Sequence, residues 1–246
     1  MYNYLLSIEY DGLKYVGWQY QNNGHSVQEN IEKAIKKVLK KKVRLIGSGR
    51  TDKGVHAICQ CANFKTTVKI ENKSKFLSSV NFFLNKKLIS ILEIEEKNLD
   101  FHARYSAIER TYEYLIINRE APLSLYKNKA WHIKKNLDIK LLKKGAKALE
   151  GVHDFSTFRA SSCSSKSPIK KMKKIMIDKD NNKIVIRFKS KSFLQNQVRS
   201  MVGCLKYLST KKWTLDFFIK VLKSKKRENC APPAPAHGLY LKKIKY

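Results

Sequence analysis

The chain has 246 residues, of which 43% are hydrophobic, enough to bury a sizeable core and to argue against disorder. Its 51 basic residues outnumber 20 acidic ones for a formal net charge of +31, so a polyanionic partner is expected, nucleic acid first and a membrane surface second. No apolar run approaches the roughly 18 residues of a spanning helix, and five cysteines without a Cys-x-x-Cys pair indicate neither a disulfide framework nor a zinc site.

The opening Met1-Tyr-Asn-Tyr-Leu-Leu-Ser lacks the basic segment of a secretory signal, so a cytoplasmic protein is expected. Nine arginines stand against 42 lysines. That skew suggests that generic basic positions have been filled with Lys, and it makes each remaining Arg worth inspecting, because a planar, bidentate cation is hard to replace.

Tyr2 to Tyr10 alternates loosely and reads as a strand running into Asp11-Gly12. After a loop through Trp18 and Gln19, Ser26 and Glu29 form a capping box, and Val27, Ile31, Ala34, Ile35, Val38 and Leu39 keep helical spacing. Two strands, Val43 to Ile46 and Val55 to Phe64, flank a glycine-rich loop. Phe76, Leu77, Val80, Phe83 and Leu84 mark a second helix, and Leu88 to Glu95 a further strand. The order β-α-β-β-α-β is the rhythm of a ferredoxin-like unit.

That rhythm repeats. Glu109 to Asn118 reads as a strand and Ala130 to Ile133 as a short second one. Leu137, Leu141, Leu142 and Leu149 suggest a helix closing at Gly151. Two strands, Lys170 to Asp178 and Lys183 to Lys189, surround a hairpin turn at Lys179-Asp-Asn-Asn182. Helices are expected from Phe193 to Ser209 and, capped by Thr214, to Ser224, with Gly238 to Tyr246 as the last strand. The expected fold is α+β: two ferredoxin-like halves, 1–105 and 106–246, joined into one mostly antiparallel sheet with a central basic cleft.

Chemistry concentrates in Gly47-Ser-Gly-Arg-Thr-Asp-Lys-Gly-Val-His56. Gly47, Gly49 and Gly54 bracket Asp52 and permit positive φ or close approach to a ligand. Arg50 could hold an anion or keep the carboxylate ionised; equally, Asp52 could bond its own backbone in a turn with Arg50 as a surface cation. Tyr112 could stack on an unpaired base or simply pack in its strand. On the expected 193–209 helix, Leu194, Val198, Met201, Val202, Leu205 and Leu208 form an apolar stripe flanked by Gln195, Arg199 and Lys206, where Arg199 could snorkel or serve a site. His102 and His153 each sit beside Phe, a context that favours structural roles.

The Gly-x-Gly-Arg-Thr-Asp-x-Gly-Val-His pattern around Asp52 resembles the catalytic motif of the TruA family of tRNA pseudouridine synthases. Other segments resemble that family in the same order: Phe101-His-Ala-Arg104, Arg110-x-Tyr112-x-Tyr114, His153-Asp-Phe-Ser-x-Phe-Arg159, Phe193-Leu-x-x-x-Val-Arg199-x-Met-Val-Gly203 and Ala234-Pro-Ala-His-Gly-Leu-Tyr-Leu241. Lys53 takes the variable place after Asp, and Gln197 stands where an apolar residue is common.

The resemblance implies the pseudouridine synthase fold and isomerisation of uridines 38, 39 and 40 in the tRNA anticodon stem-loop. Asp52 would be the nucleophile, Tyr112 would lie in the active site, Arg199 would pair with the catalytic Asp, and Arg104 would hold the substrate nucleotide or displaced stem. It further implies a homodimer that needs no cofactor and no metal. The rival from another class is a non-catalytic RNA-binding module, which gives no reason for an acidic residue inside an Arg-Gly loop. A phosphate-handling glycine loop is disfavoured by the missing Lys-Ser/Thr of a P-loop.

Overall fold

In the computed structural model, which describes residues 1–22 and 24–246, strand β1 (Tyr2–Tyr10) lies between two antiparallel neighbours, β3 (His56–Thr66) and β4 (Ile89–Lys97). Tyr4, Leu6, Ile8 and Tyr10 of β1 are buried on one face of the strand, and Asn3 and Leu5 on the other. Ring contacts run from Tyr4 to Phe64 of β3 (centroids 5.8 Å apart) and on to Phe76 (6.4 Å) of helix α2 (Lys73–Leu84). Helix α1 (Val27–Leu39) buries Ile31 and Ile35 completely; each such side chain contributes about 1.5–3 kcal/mol. Its capping box is closed from both ends: Ser26 Oγ accepts from Glu29 N at 3.2 Å, and the Glu29 carboxylate, held below its usual pKa chiefly by Lys33, also accepts from the Ser26 backbone.

The chain forms two compact units, residues 1–108 with 240–246, and residues 109–239. The closing strand β10 (Leu239–Lys245), expected at the end of the second half, runs parallel to β3 of the first unit at His56 and Ala57. Strand β2 shrinks to Ile46–Gly47, pairing with β3 at Asn63 and Ala62. The expected strand from Val43 is absent because Leu45 gives its N–H to Glu32 Oε1 (2.8 Å) and takes Gln28 Nε2 on its carbonyl (3.2 Å), so its backbone is bonded to α1 side chains.

In the second unit β5 (Glu109–Asn118), β9 (Lys183–Ser190), β8 (Ile169–Asp180) and β7 (Gly151–Asp154) follow one another as antiparallel neighbours, with β6 (Trp131–Ile133) parallel to β5. The β8–β9 hairpin turns through Asn181 at φ 50°, which Asn tolerates. Helices α3 (Ile139–Leu149), α4 (Gln197–Ser209) and α5 (Leu215–Ser224) complete this unit, and Phe155, Phe158, Phe188 and Phe218 are fully buried in it. Strand β7 was not expected; Gly151, read as the end of a helix, opens it at φ 104°. Helix α4 begins four residues later than its apolar pattern suggests, because Asn196 adopts a left-handed φ of 61°. Phe193, Leu194 and Gln195 therefore precede the helix, and Gln195 does not share a helical flank with Arg199. Both units are α+β with mostly antiparallel pairing, as the sequence suggests. Among the described residues no helix is long and apolar enough to cross a membrane.

Candidate active site

The Asp52 loop is held by its surroundings at nearly every residue. Val55 N–H donates to the Asp52 carbonyl at 3.1 Å, closing a turn in which Gly54 takes φ 78°. Positive φ at the third position is what a type II turn demands, and Gly supplies it without steric cost. Thr51 is buried, its hydroxyl 2.8 Å from Tyr10 Oη and its carbonyl accepting from Trp18 N at 3.1 Å. Ser48 Oγ donates to Gln60 Oε1 (2.7 Å), and Gln60 Nε2 donates to the Gly49 carbonyl (2.8 Å).

The preceding 11–18 loop packs directly on this turn. A Cβ on Gly12 would lie 1.9 Å from the Val55 oxygen, and one on Gly17, at φ 127°, would lie 2.7 Å from the Thr51 oxygen. Gly47 is needed for a different reason from the one the sequence suggested: it has no positive φ, and the Trp18 indole occupies the space a side chain would take, 2.3 Å away. His56 Nδ1 lies 3.0 Å from Asp11 Oδ1 and its ring stacks on Tyr240 at 4.8 Å. Asp52 is half-buried, while Arg50 and Lys53 are exposed on the same loop.

Arg104 occupies a separate turn of this unit, exposed, with its guanidinium 5.7 Å from the Tyr105 ring centre. His102 serves that turn structurally, as its setting suggested: its Nδ1 accepts from Arg104 N at 3.2 Å. Beneath lie two fully buried amides that the sequence did not single out. Asn3 Nδ2 donates to the Asn98 and Phe101 carbonyls at 2.9 and 3.0 Å; Asn63 Nδ2 donates to Asn3 Oδ1 at 2.8 Å, and Asn63 Oδ1 accepts from Ala103 N at 2.9 Å.

Tyr112 and Arg199 belong to the second unit. Tyr112 is 7% exposed in β5, opposite Phe188 of β9, and meets Phe193 edge to face at 5.0 Å. Arg199 is half-buried in the first turn of α4, where Nε donates to the Ala234 carbonyl at 2.7 Å and Nη1 to Asn196 Oδ1 at 3.1 Å. Two bonds fix a guanidinium plane that a snorkelling side chain would leave to rotate. His153, the other histidine considered, is bonded to the Glu150 carbonyl (2.8 Å) and packs on Phe155.

The family model described as tRNA pseudouridine synthase matches residues 6–106 and 146–246, and this makes the chain a pseudouridine synthase, an isomerase. The curated protein named tRNA pseudouridine synthase A from Pelagibacter ubique is 56% identical over 246 residues, all of both chains. Proteins of the same name from Parvibaculum lavamentivorans and a Thermoanaerobacter species are each 43% identical, again over the whole of both chains. The chain belongs to the tRNA pseudouridine synthase family.

Proposed function

We propose that this chain converts uridine to pseudouridine in the anticodon stem-loop of tRNA, at positions 38, 39 and 40, with Asp52 as the nucleophile. The observation that supports this most is the Asp52 turn, a half-buried carboxylate whose flanking residues Thr51 and Val55 are held by Tyr10 and Trp18 and by close packing of Gly17 and Gly12. A pre-organised nucleophile reacts faster because its ordering cost is met in folding.

In the reaction the bond from C1′ to N1 of the base breaks, the base rotates, and C1′ bonds to C5. The C5 proton leaves and N1 gains one, so substrate and product have the same composition. Asp52 attacks ribose C1′ or base C6, and either route needs the ionised carboxylate. Arg50 grips the anionic RNA beside it, and Arg104 holds the nucleotide or displaced stem. Tyr112 stacks on the unpaired base and Arg199 supplies a fixed cation to the reacting centre. Removing a uridine from its stack costs a few kcal/mol, which aromatic and basic contacts offset. The net charge of +31 supplies the long-range attraction to tRNA. The enzyme acts in the cytoplasm and, as its family resemblance suggests, as a homodimer.

The test is chemical mapping of pseudouridine in unmodified tRNA incubated with the purified protein, alongside Asp52→Asn. Product confined to the anticodon stem-loop, lost in Asp52→Asn while tRNA affinity stays within a few-fold, is expected. Product elsewhere would overturn the substrate site, and an active Asn variant would overturn the nucleophile.

A further inference from the structure

The residues from Cys230 to Gly238 run back along α4 and meet it at three successive points. Cys230 Sγ lies 3.5 Å from Cys204 Sγ. The Pro232 carbonyl lies where a Cβ on Gly203 would be, 2.1 Å from its ideal position. Ala234 bonds Arg199 twice, its N–H donating to the Arg199 carbonyl (2.9 Å) and its own carbonyl accepting from Arg199 Nε (2.7 Å). Beyond that point the segment is held from β5: Tyr114 Oη donates to the Pro235 carbonyl at 2.8 Å, and a Cβ on Gly238 would collide with the Tyr114 ring at 2.7 Å. His237 adds a bond to the backbone of Ala130.

The carbonyl that orients the Arg199 guanidinium therefore has its position set by two side-chain features outside the segment, the Tyr114 hydroxyl and the missing side chain of Gly203. We propose that the 230–238 segment is a brace that aims Arg199, and that Tyr114 and Gly203 are positioning residues for the isomerisation, acting through Ala234. A brace of this kind suits a cation that must keep one orientation while substrate enters, because Nη2 is used by neither bond and can be presented to an anion. The proposal rests on the role given to Arg199 above.

The burial of Tyr114 supports this reading: a fully buried phenol needs an acceptor, and the Pro235 carbonyl is the one it has. In Tyr114→Phe the ring remains to pack against Trp131 and Gly238, so the fold should persist while the segment loses one of its fixings. Gly203→Ala pushes the same segment from the opposite side.

The experiment measures kcat and KM on unmodified tRNA for Tyr114→Phe, Gly203→Ala, Arg199→Lys and the Tyr114→Phe/Arg199→Lys double variant, each corrected for folded fraction by circular dichroism. The brace predicts that Tyr114→Phe lowers kcat on the order of tenfold, about one hydrogen bond lost from the transition state, with KM within about twofold. It also predicts that the double variant is no slower than Arg199→Lys alone. Gly203→Ala should show the same split between kcat and KM. A Tyr114→Phe enzyme with the parental kcat, or one whose loss multiplies with that of Arg199→Lys, would overturn the brace while leaving Arg199 in its role. Parental turnover by Arg199→Lys would overturn the role of Arg199 and the brace with it.

Discussion

Replacing Asn63 by Ala removes the centre of a buried amide network, and its cost can be worked from the contacts. Asn63 is fully buried; its Oδ1 takes the Ala103 N–H at 2.9 Å and its Nδ2 serves Asn3 Oδ1 at 2.8 Å. Truncation leaves both partner groups inside the protein without those bonds. Each orphaned group costs about 1–3 kcal/mol, so the loss should be about 2–6 kcal/mol. Urea unfolding followed by circular dichroism should show a lower midpoint with unchanged slope. Asn3→Ala should couple to it, the double variant losing less than the two single losses added, because one bond joins the pair. Since Ala103 precedes Arg104, the proposed role of Arg104 also predicts a raised KM for tRNA in Asn63→Ala. A stability loss below about 0.5 kcal/mol, the range of ordinary surface substitutions, would refute the reasoning.

Gly12→Ala should leave a protein that binds tRNA yet turns over on the order of a hundredfold more slowly, since the new Cβ displaces the Val55 carbonyl beside Asp52; single-turnover kinetics would show it, and a normal rate would contradict the close packing of that turn. Ser26→Ala should cost about 1 kcal/mol in urea unfolding through loss of the α1 cap, with activity per folded molecule unchanged. His237 is held below the usual imidazole range, first by burial and further by nearby Arg199, with its bond to Ala130 opposing. The unfolded chain therefore takes up this proton more readily than the native one. The stability contributed by neutral His237 is fully present above the unfolded value of about 6.5 and is lost as pH falls below it and through the lower native value. His237→Gln should flatten that part of the stability–pH curve relative to the parent; identical curves would contradict it.

The α1 helix, its capping box and the Asn181–Asn182 hairpin were legible because their determinants lie within a few residues of one another: apolar spacing, a Ser three residues before its capping Glu29, an Asn that accepts positive φ. The Asp52 loop was legible for the same reason, as a short string of Gly, Arg and Asp. What holds that loop was not. Gly12, Gly17 and Trp18 look like ordinary loop residues until the backbone of 51–55 is laid against them. Leu45 reads as strand, and it is the reach of Glu32 and Gln28 from α1 that takes its hydrogen bonds.

By itself, then, the sequence determined the elements whose stabilising contacts are local, and the residue types able to carry the chemistry. The tertiary structure decided which strand the C-terminus joins, where α4 starts, and which groups fix the proposed site residues. The bonds responsible span long separations, from Asn3 to Phe101 and from Tyr114 to Pro235. Hydrogen bonding of buried polar groups must be completed over the whole fold, so an Asn, a Tyr or a Gly with such a duty is chosen by partners about a hundred residues away and leaves no periodic trace nearby.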